Sequence, residues 1–236
     1  MKIAIVQPYF MPYLGYFQLV HAVDKFVFFD DVNFIKKGWI NRNYIYSLNG
    51  PHLFTVPLVK ASQNKLINDI CISDFELFML SFKERLRHSY HKAPFYSQVM
   101  DWLEEWLFRS DFLLISQLAA TSIQKVFAYL DLKKEFIFSS EIDYQKSKTD
   151  NTATDKIISI CKLLGAKHYI NPRNGKDIYK KADFESQNLK LSFINMKPIT
   201  YTQFDREFMP YLSIIDVLMF NDKEHVKKLL TEYTFE

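Results

Sequence analysis

Along this 236-residue chain the spacing of apolar positions switches repeatedly between strand-like and helix-like periods. Lys2 to Val6 is a short β-branched run closed by Gln7-Pro8, and it predicts a first strand. Leu14, Phe17, Val20 and Val23 recur at helical spacing, which predicts a helix over 14–23. Lys25 to Phe29 is almost continuously apolar, as suits a strand covered on both faces of a sheet. Strand, ten-residue helix, strand is the signature of a βαβ unit in a parallel sheet.

The next stretch breaks the alternation. Gly38 to Tyr46 and His52 to Val59 flank Leu48-Asn49-Gly50-Pro51, and Asn-Gly between apolar runs signals a hairpin. Asp69 to Ile72 predicts one more short strand. Three helices follow. Ser73-x-x-Glu76 reads as a capping box, with Phe75, Phe78, Met79, Phe82 and Leu86 on one face. Ala93-Pro94 breaks the chain before a second helix over Phe95 to Phe108. A third opens at Asp111, with Ile115, Leu118, Ala119, Ser122, Val126, Phe127 and Leu130 in register. Strands are then expected at Glu135 to Phe138, Lys167 to Ile170 and Lys190 to Ile194. Ser139 to Asn151 reads as a loop. Helices are expected over Thr152 to Leu164, ending at Gly165, from Ser213-x-x-Asp216 (a second capping box) through Phe220, and over Glu224 to Tyr233. The expectation is one α/β domain over 1–236. It has a mostly parallel sheet, flanking helices, and a hairpin and helical insertion at about 38–131.

Composition narrows the chemistry. Apolar residues make up 48% and charged residues 24%, so a packed core rather than disorder is expected. Glycine numbers only 5, where average usage gives roughly 17. No G-x-G-x-x-G or G-x-x-x-x-G-K-[ST] can be written, which disfavours a Rossmann dinucleotide fingerprint and a P-loop. The net charge of +3 permits an anionic ligand but does not call for nucleic acid. Cys71 and Cys161 lie far apart among apolar neighbours and read as buried thiols. Met1 to Val6 is too short for a signal peptide, and no apolar run approaches the ~18 residues of a membrane span, so a cytoplasmic protein is expected.

Four segments carry candidate chemistry. Gln7 to Phe17 leaves the carboxyl end of the first strand, where open α/β sheets bind ligands. Gln7, Tyr9, Pro12 and Gly15 are its candidate substrate contacts, two prolines stiffening the loop and Gly15 allowing close backbone approach. Asp30 to Asn43 leaves the second strand. Alternation along a strand predicts that Asp30 and Asp31 point apart, one of them free to act as a general base or to hold a Mg²⁺ ion. Lys36, Lys37 and Arg42 suit phosphate, Trp39 a stacked base or sugar face, and Asn41 a polar contact. Ser147 to Asp150, together with Asn171 to Asp177, forms a third candidate, in which Gly175 and Lys176 suit an anion. The fourth is Tyr201 to Gln203 with Pro210 to Asp216, where Gln203 stands out as a polar residue in an aromatic stretch. The histidines show no ligand spacing for zinc; His88 and His91, three apart, read as surface or capping residues. No G-x-S-x-G elbow is present.

Taken together, Gln7 to Phe17, Asp30 to Arg42, Tyr169 to Tyr179 and Tyr201 to Asp216 resemble the WbqC-like protein family over nearly the whole chain. In the third of these, Asn171-Pro172-Arg173 stands where a small-residue turn is expected. The resemblance implies a place in bacterial surface-polysaccharide or O-antigen (lipopolysaccharide) biosynthesis and work on nucleotide-activated, often amino, sugars. The layout is also similar to nucleotidylyltransferase folds, although a layout alone does not fix function. The leading expectation is a transferase that moves an acyl or aminoacyl group onto a nucleotide-linked amino sugar, with Asp30, Asp31 and Lys37 catalytic and no cofactor motif beyond a Mg²⁺ site. Nucleotidylyl transfer and a non-catalytic sugar-nucleotide scaffold are the alternatives, and a nucleic-acid binder is the weakest.

Overall fold

The computed structural model describes residues 1–144, 152–204 and 206–236. Its centre is a six-stranded sheet in the order β5-β2-β1-β6-β7-β8, formed by Lys2–Val6 (β1), Lys25–Phe28 (β2), Glu135–Phe138 (β5), His168–Pro172 (β6), Lys190–Met196 (β7) and Tyr233–Phe235 (β8). The first five strands in that order run parallel and β8 is antiparallel to β7. The hairpin of Arg42–Ile45 (β3) and His52–Thr55 (β4) is a separate antiparallel sheet. A mostly parallel sheet flanked by helices, with a hairpin beside it, matches the expectation from the sequence.

Side chains alternate across the sheet, and each face has its own core. Ala4, Phe26 and Phe28 enter the larger core, beneath Leu14–Ala22 (α1), Ile115–Tyr129 (α4) and Ile214–Phe220 (α7). Ile3, Ile5, Val27 and Phe29 enter the smaller one, with Ala153–Leu163 (α5) and Lys181–Glu185 (α6) supplying Ile157, Ile160, Cys161 and Phe184. Burial on both faces explains why β1 and β2 read as continuous apolar runs. Phe75–Tyr90 (α2), Tyr96–Leu103 (α3) and α4 occupy the chain between the hairpin and β5, and Lys223–Leu229 (α8) precedes β8.

Several local expectations are corrected. The hairpin forms, but Ile45 pairs with His52, so residues 46–51 make a long loop rather than a two-residue Asn-Gly turn. Residues 67–69 form a single tight turn instead of a strand, and 70–72 contribute only isolated bridges. Ser73 does not cap α2; Asp74 occupies that position in the left-handed region, at φ 46°, with no side-chain cap. The second helix gives way after Leu103 to a wider π-type turn over Glu104–Phe108. The capping box the sequence does form is at α5, where Thr152 and Asp155 bond reciprocally, and Gly165 follows the helix at φ 69°. The last amphipathic run stops at Leu229, and Tyr233–Phe235 turns into an edge strand. Cys161 is buried, with its thiol pushed up to about 12 by burial, whereas Cys71 is partly exposed. Among the described residues no helix is long and apolar enough to cross a membrane.

Candidate functional site

From β1 the chain winds to β2 and then β5 on one side, and returns to β6 and β7 on the other. The order reverses between β1 and β6, and ligands of open α/β sheets bind outside the carboxyl ends of the strands at such a reversal. A cleft of about 570 Å³ opens there. Arg173, Asn174, Lys176 and Asp177 reach it from the exit of β6, Asn195 and Met196 from the end of β7, and Tyr13, Gly15 and Gln18 from the start of α1. Gln18 is fully buried. Its Nε2 donates to the carbonyls of Leu229 and Glu232 (2.8 and 3.0 Å), while its Oε1 has no partner among the described residues. Arg173 and Lys176 both face the Glu236 carboxylate, the arginine at 3.7 Å.

The entry to α1 is shaped by close contacts. Met11 sits in the left-handed region at φ 46°. Its carbonyl accepts from Asn43 Nδ2 (2.6 Å) and the Ser213 hydroxyl (2.8 Å), and its amide donates to the Ser122 hydroxyl (3.1 Å). Three buried side chains thus hold a backbone geometry that is otherwise costly. Gly15 lets the Tyr13 ring fold back: a Cβ there would stand 2.5 Å from that ring. Gly175 does the same at β6, where a Cβ would stand 2.2 Å from Asn171 Oδ1.

Across Tyr13, Met196 and Tyr211 the polar cleft adjoins an apolar pocket of about 330 Å³, walled by Leu14, Ile199, Phe208, Leu212 and Val217. At its edge the Tyr201 hydroxyl donates to Asp216 Oδ2 (2.6 Å), which also accepts from Gln203 Nε2 (2.5 Å). Among the described residues Asp216 Oδ1 is buried without a hydrogen-bond partner. Burial pushes the Asp216 carboxyl up to about 6, against the opposing pull of Tyr201, Gln203 and Tyr90. Asp216 therefore does not close a capping box, although Ser213 caps α7 through the Ile215 amide (3.3 Å).

The remaining candidates from the sequence lie outside the cleft and are scattered over the chain. Gln7, Tyr9, Trp39 and Arg42 gather into an aromatic cluster beside β1, tied by Phe10 N–H to the Ile40 carbonyl (2.9 Å). Tyr16 donates to the Gln7 carbonyl (2.9 Å), Tyr9 packs on Tyr16 and Trp39, and the Arg42 guanidinium lies over Trp39 (5.3 Å). Burial raises the Tyr9 hydroxyl well above the ordinary tyrosine range. Arg42 also donates to the Gly38 carbonyl (2.7 Å) and to the Lys37 carbonyl, so its fork is engaged within the loop rather than open for phosphate. Lys36 and Lys37 are exposed. Pro12, Asn41 and Gln203, expected as ligand contacts, are buried and serve the chain. The Pro12 carbonyl accepts from Ile214, Asn41 Nδ2 donates to the Val56 carbonyl (2.8 Å), and Gln203 clamps Met209 as well as Asp216.

Asp30 and Asp31 converge, against the alternation rule, because the strand ends at Phe28 and the pleat with it. Both carboxylates meet the Ser139 hydroxyl; Asp30 also accepts from the Ser140 amide and hydroxyl (3.1 and 2.8 Å), and Asp31 from the Tyr144 hydroxyl (2.8 Å). Neither lines the reversal cleft. A Mg²⁺ ion on them would have to displace these donors, and among the described residues no group of three or more His, Cys, Asp or Glu side chains could hold a metal ion. Ser147 to Asp150 lies outside the described residues.

A model of the WbqC-like protein family matches residues 7–228. The chain belongs to the WbqC-like protein family. A protein of Mycobacterium tuberculosis (strain ATCC 25618 / H37Rv), described as uncharacterized protein Rv1507c, is 26% identical over 219 residues, which cover 92% of each chain. No solved structure matches. In this WbqC-like chain three of the four candidate segments reach the cleft, Gln7 to Phe17 through Tyr13 and Gly15, Asn171 to Asp177 through Arg173, Asn174, Lys176 and Asp177, and Pro210 to Asp216 through Tyr211. Gln18, Asn195 and Met196 lie outside those segments. Their signal was topological: only the strand order brings 13–18, 172–177 and 194–196 together.

Proposed function

We propose that this WbqC-like chain binds a nucleotide-activated amino sugar in the reversal cleft and transfers an acyl or aminoacyl group to the sugar amine, in the making of bacterial surface polysaccharide such as O-antigen. The reading is carried by one observation. A polar cleft with two cationic side chains shares a wall, Tyr13, Met196 and Tyr211, with an apolar pocket. The diphosphate belongs against Arg173 and Lys176, in place of their contacts with Glu236. The sugar belongs among Asn174, Asn195 and the Tyr13 and Tyr211 rings, and the acyl chain against Leu14 and Ile199. The amine nitrogen attacks the acyl carbonyl, the C–N bond forms, the bond to the donor's carrier breaks, and Asp177 takes the amine proton. The surface-polysaccharide context comes from the family resemblance.

Nucleotidylyl transfer is the second reading, favoured by the convergence of two carboxylates on Ser139. A screen of UDP-, dTDP- and GDP-linked amino sugars by thermal shift, with and without Mg²⁺, tests both. A ligand at a hundredfold excess over its dissociation constant stabilises the folded chain by about 2.7 kcal/mol. The expected result is stabilisation independent of Mg²⁺ and lost in Arg173→Ala, with amide product detected by mass spectrometry when an acyl thioester is added. Stabilisation that needs Mg²⁺ and is lost in Asp31→Asn would move the assignment to nucleotidylyl transfer. Binding without product from any donor would leave a non-catalytic scaffold.

A further inference from the structure

A second cleft, of about 690 Å³, lies away from the reversal of strand order, between the β3–β4 loop and the carboxyl end of α2. His52 at the start of β4, His88 and His91 at the end of α2, Lys92 just beyond, and Arg206 after β7 all line it. Arg85 adds a further cation, 3.5 Å from the His52 ring. Among the described residues no carboxylate lines this cleft. Elsewhere the surface lysines and arginines commonly face acids, as in Lys83–Glu104, Arg87–Glu84, Lys197–Glu232 and Lys227–Glu224.

Part of this charge has a plain structural cause. Basic side chains favour a helix carboxyl end, and His91 Nδ1 lies 3.1 Å from the Arg87 carbonyl, as a cap would. That accounts for His91 and suits His88 and Lys92. It does not account for His52 and Arg206, which come from other elements and line the same hollow. The lining also contains Tyr46, which is 1% exposed and whose buried hydroxyl has no hydrogen-bond partner among the described residues. A buried hydroxyl left unpaired is costly, and a ligand oxygen or a water would satisfy it. Phe204, whose ring packs on Tyr46, and Leu48 give one apolar wall.

We propose that this cleft is a binding site for a phosphorylated small molecule. Its phosphate or diphosphate oxygens meet His52, His88, Lys92 and Arg206, and its less polar part lies against Phe204 and Leu48. Charge-assisted hydrogen bonds to phosphate are the strong class, and among the described residues the lining offers no carboxylate to oppose them. The volume falls within the range of sites for small ligands, roughly 300–1,000 Å³.

The test uses the full chain with ¹³C-labelled histidine and inorganic pyrophosphate as the probe, at constant ionic strength. The expected result is a saturable shift of the His52, His88 and His91 ring signals on one common binding curve, with His21, His168 and His225 unmoved. In the His88→Gln/Lys92→Ala double variant the dissociation constant read from His52 should rise about tenfold or more, a difference of ~1.4 kcal/mol or more. Arg173→Ala should leave the curve unchanged, which separates this site from the reversal cleft. Shifts that are linear in pyrophosphate, shared by all six histidines, absent, or indifferent to the double variant would overturn the proposal. The wild-type titration decides even if the variant fails to fold.

Discussion

Replacing Asp216 by Asn should stabilise the protein at neutral pH. Asp216 is the third residue of α7, fully buried, with two donors on Oδ2 and none on Oδ1. Burial moves its carboxyl from 3.8 to about 6, so the folded chain holds that proton to higher pH than the unfolded chain does. Between those two values the native state binds more protons than the unfolded state, and stability attributable to this group falls as pH rises. A shift of about two units corresponds to roughly 3 kcal/mol, absent below about pH 3 and nearly fully expressed by about pH 7. In Asp216→Asn the amide oxygen can keep the bonds from Tyr201 and Gln203, and no charge is buried at any pH. Urea unfolding of both proteins at pH 4, 5, 6 and 7 measures the effect. The variant's stability relative to wild type should rise by about 2 kcal/mol from pH 4 to pH 7. Working with the difference cancels the titration of the other carboxylates. A difference that stays constant across that range, or that falls with pH, would show that burial does not raise this carboxyl.

Three further changes have definite expected outcomes. Gly15→Ala places a methyl group 2.5 Å from the Tyr13 ring, so it should destabilise by about 1–3 kcal/mol in urea unfolding and weaken ligand binding at the cleft. Ser139→Ala leaves Asp30 and Asp31 without their shared buried donor and should cost about 1–3 kcal/mol by the same assay. Glu236→Gln removes the carboxylate that Arg173 and Lys176 face. Because the pair is exposed, its melting temperature should hardly move, while titration calorimetry at low salt should show several-fold tighter binding of a nucleotide sugar, fading as salt is added.

Much of the sheet was legible in the sequence because its strands obey simple rules. Lys2 to Val6 and Lys25 to Phe28 are buried on both faces and read as continuous apolar runs. The signals that misled were local patterns with more than one structural solution. Ser213-x-x-Asp216 has the spacing of a capping box, yet only tertiary contacts from Tyr201 and Gln203 decide that the aspartate turns inward. Ser73-x-x-Glu76 has the same spacing and caps nothing, because the helix starts one residue later. Asp30 and Asp31 were expected to diverge, but alternation holds only inside a pleated strand. Tyr233 to Phe235 is too short to show a period and becomes a strand only because β7 offers an open edge. The cleft was the least visible feature. Its walls come from segments some 160 residues apart; Gln7 to Phe17 and Asn171 to Asp177 each stood out locally, but only the strand order joins them into one cleft with 194–196.

The central claim, that the reversal cleft is the substrate site, is tested most directly by hydrogen–deuterium exchange with the panel of UDP-, dTDP- and GDP-linked amino sugars. At least one of them should slow exchange at 13–18, 172–177 and 194–196 together, and Arg173→Ala should abolish this protection. Protection confined to 30–42, or none at these three segments with any member of the panel, would contradict it.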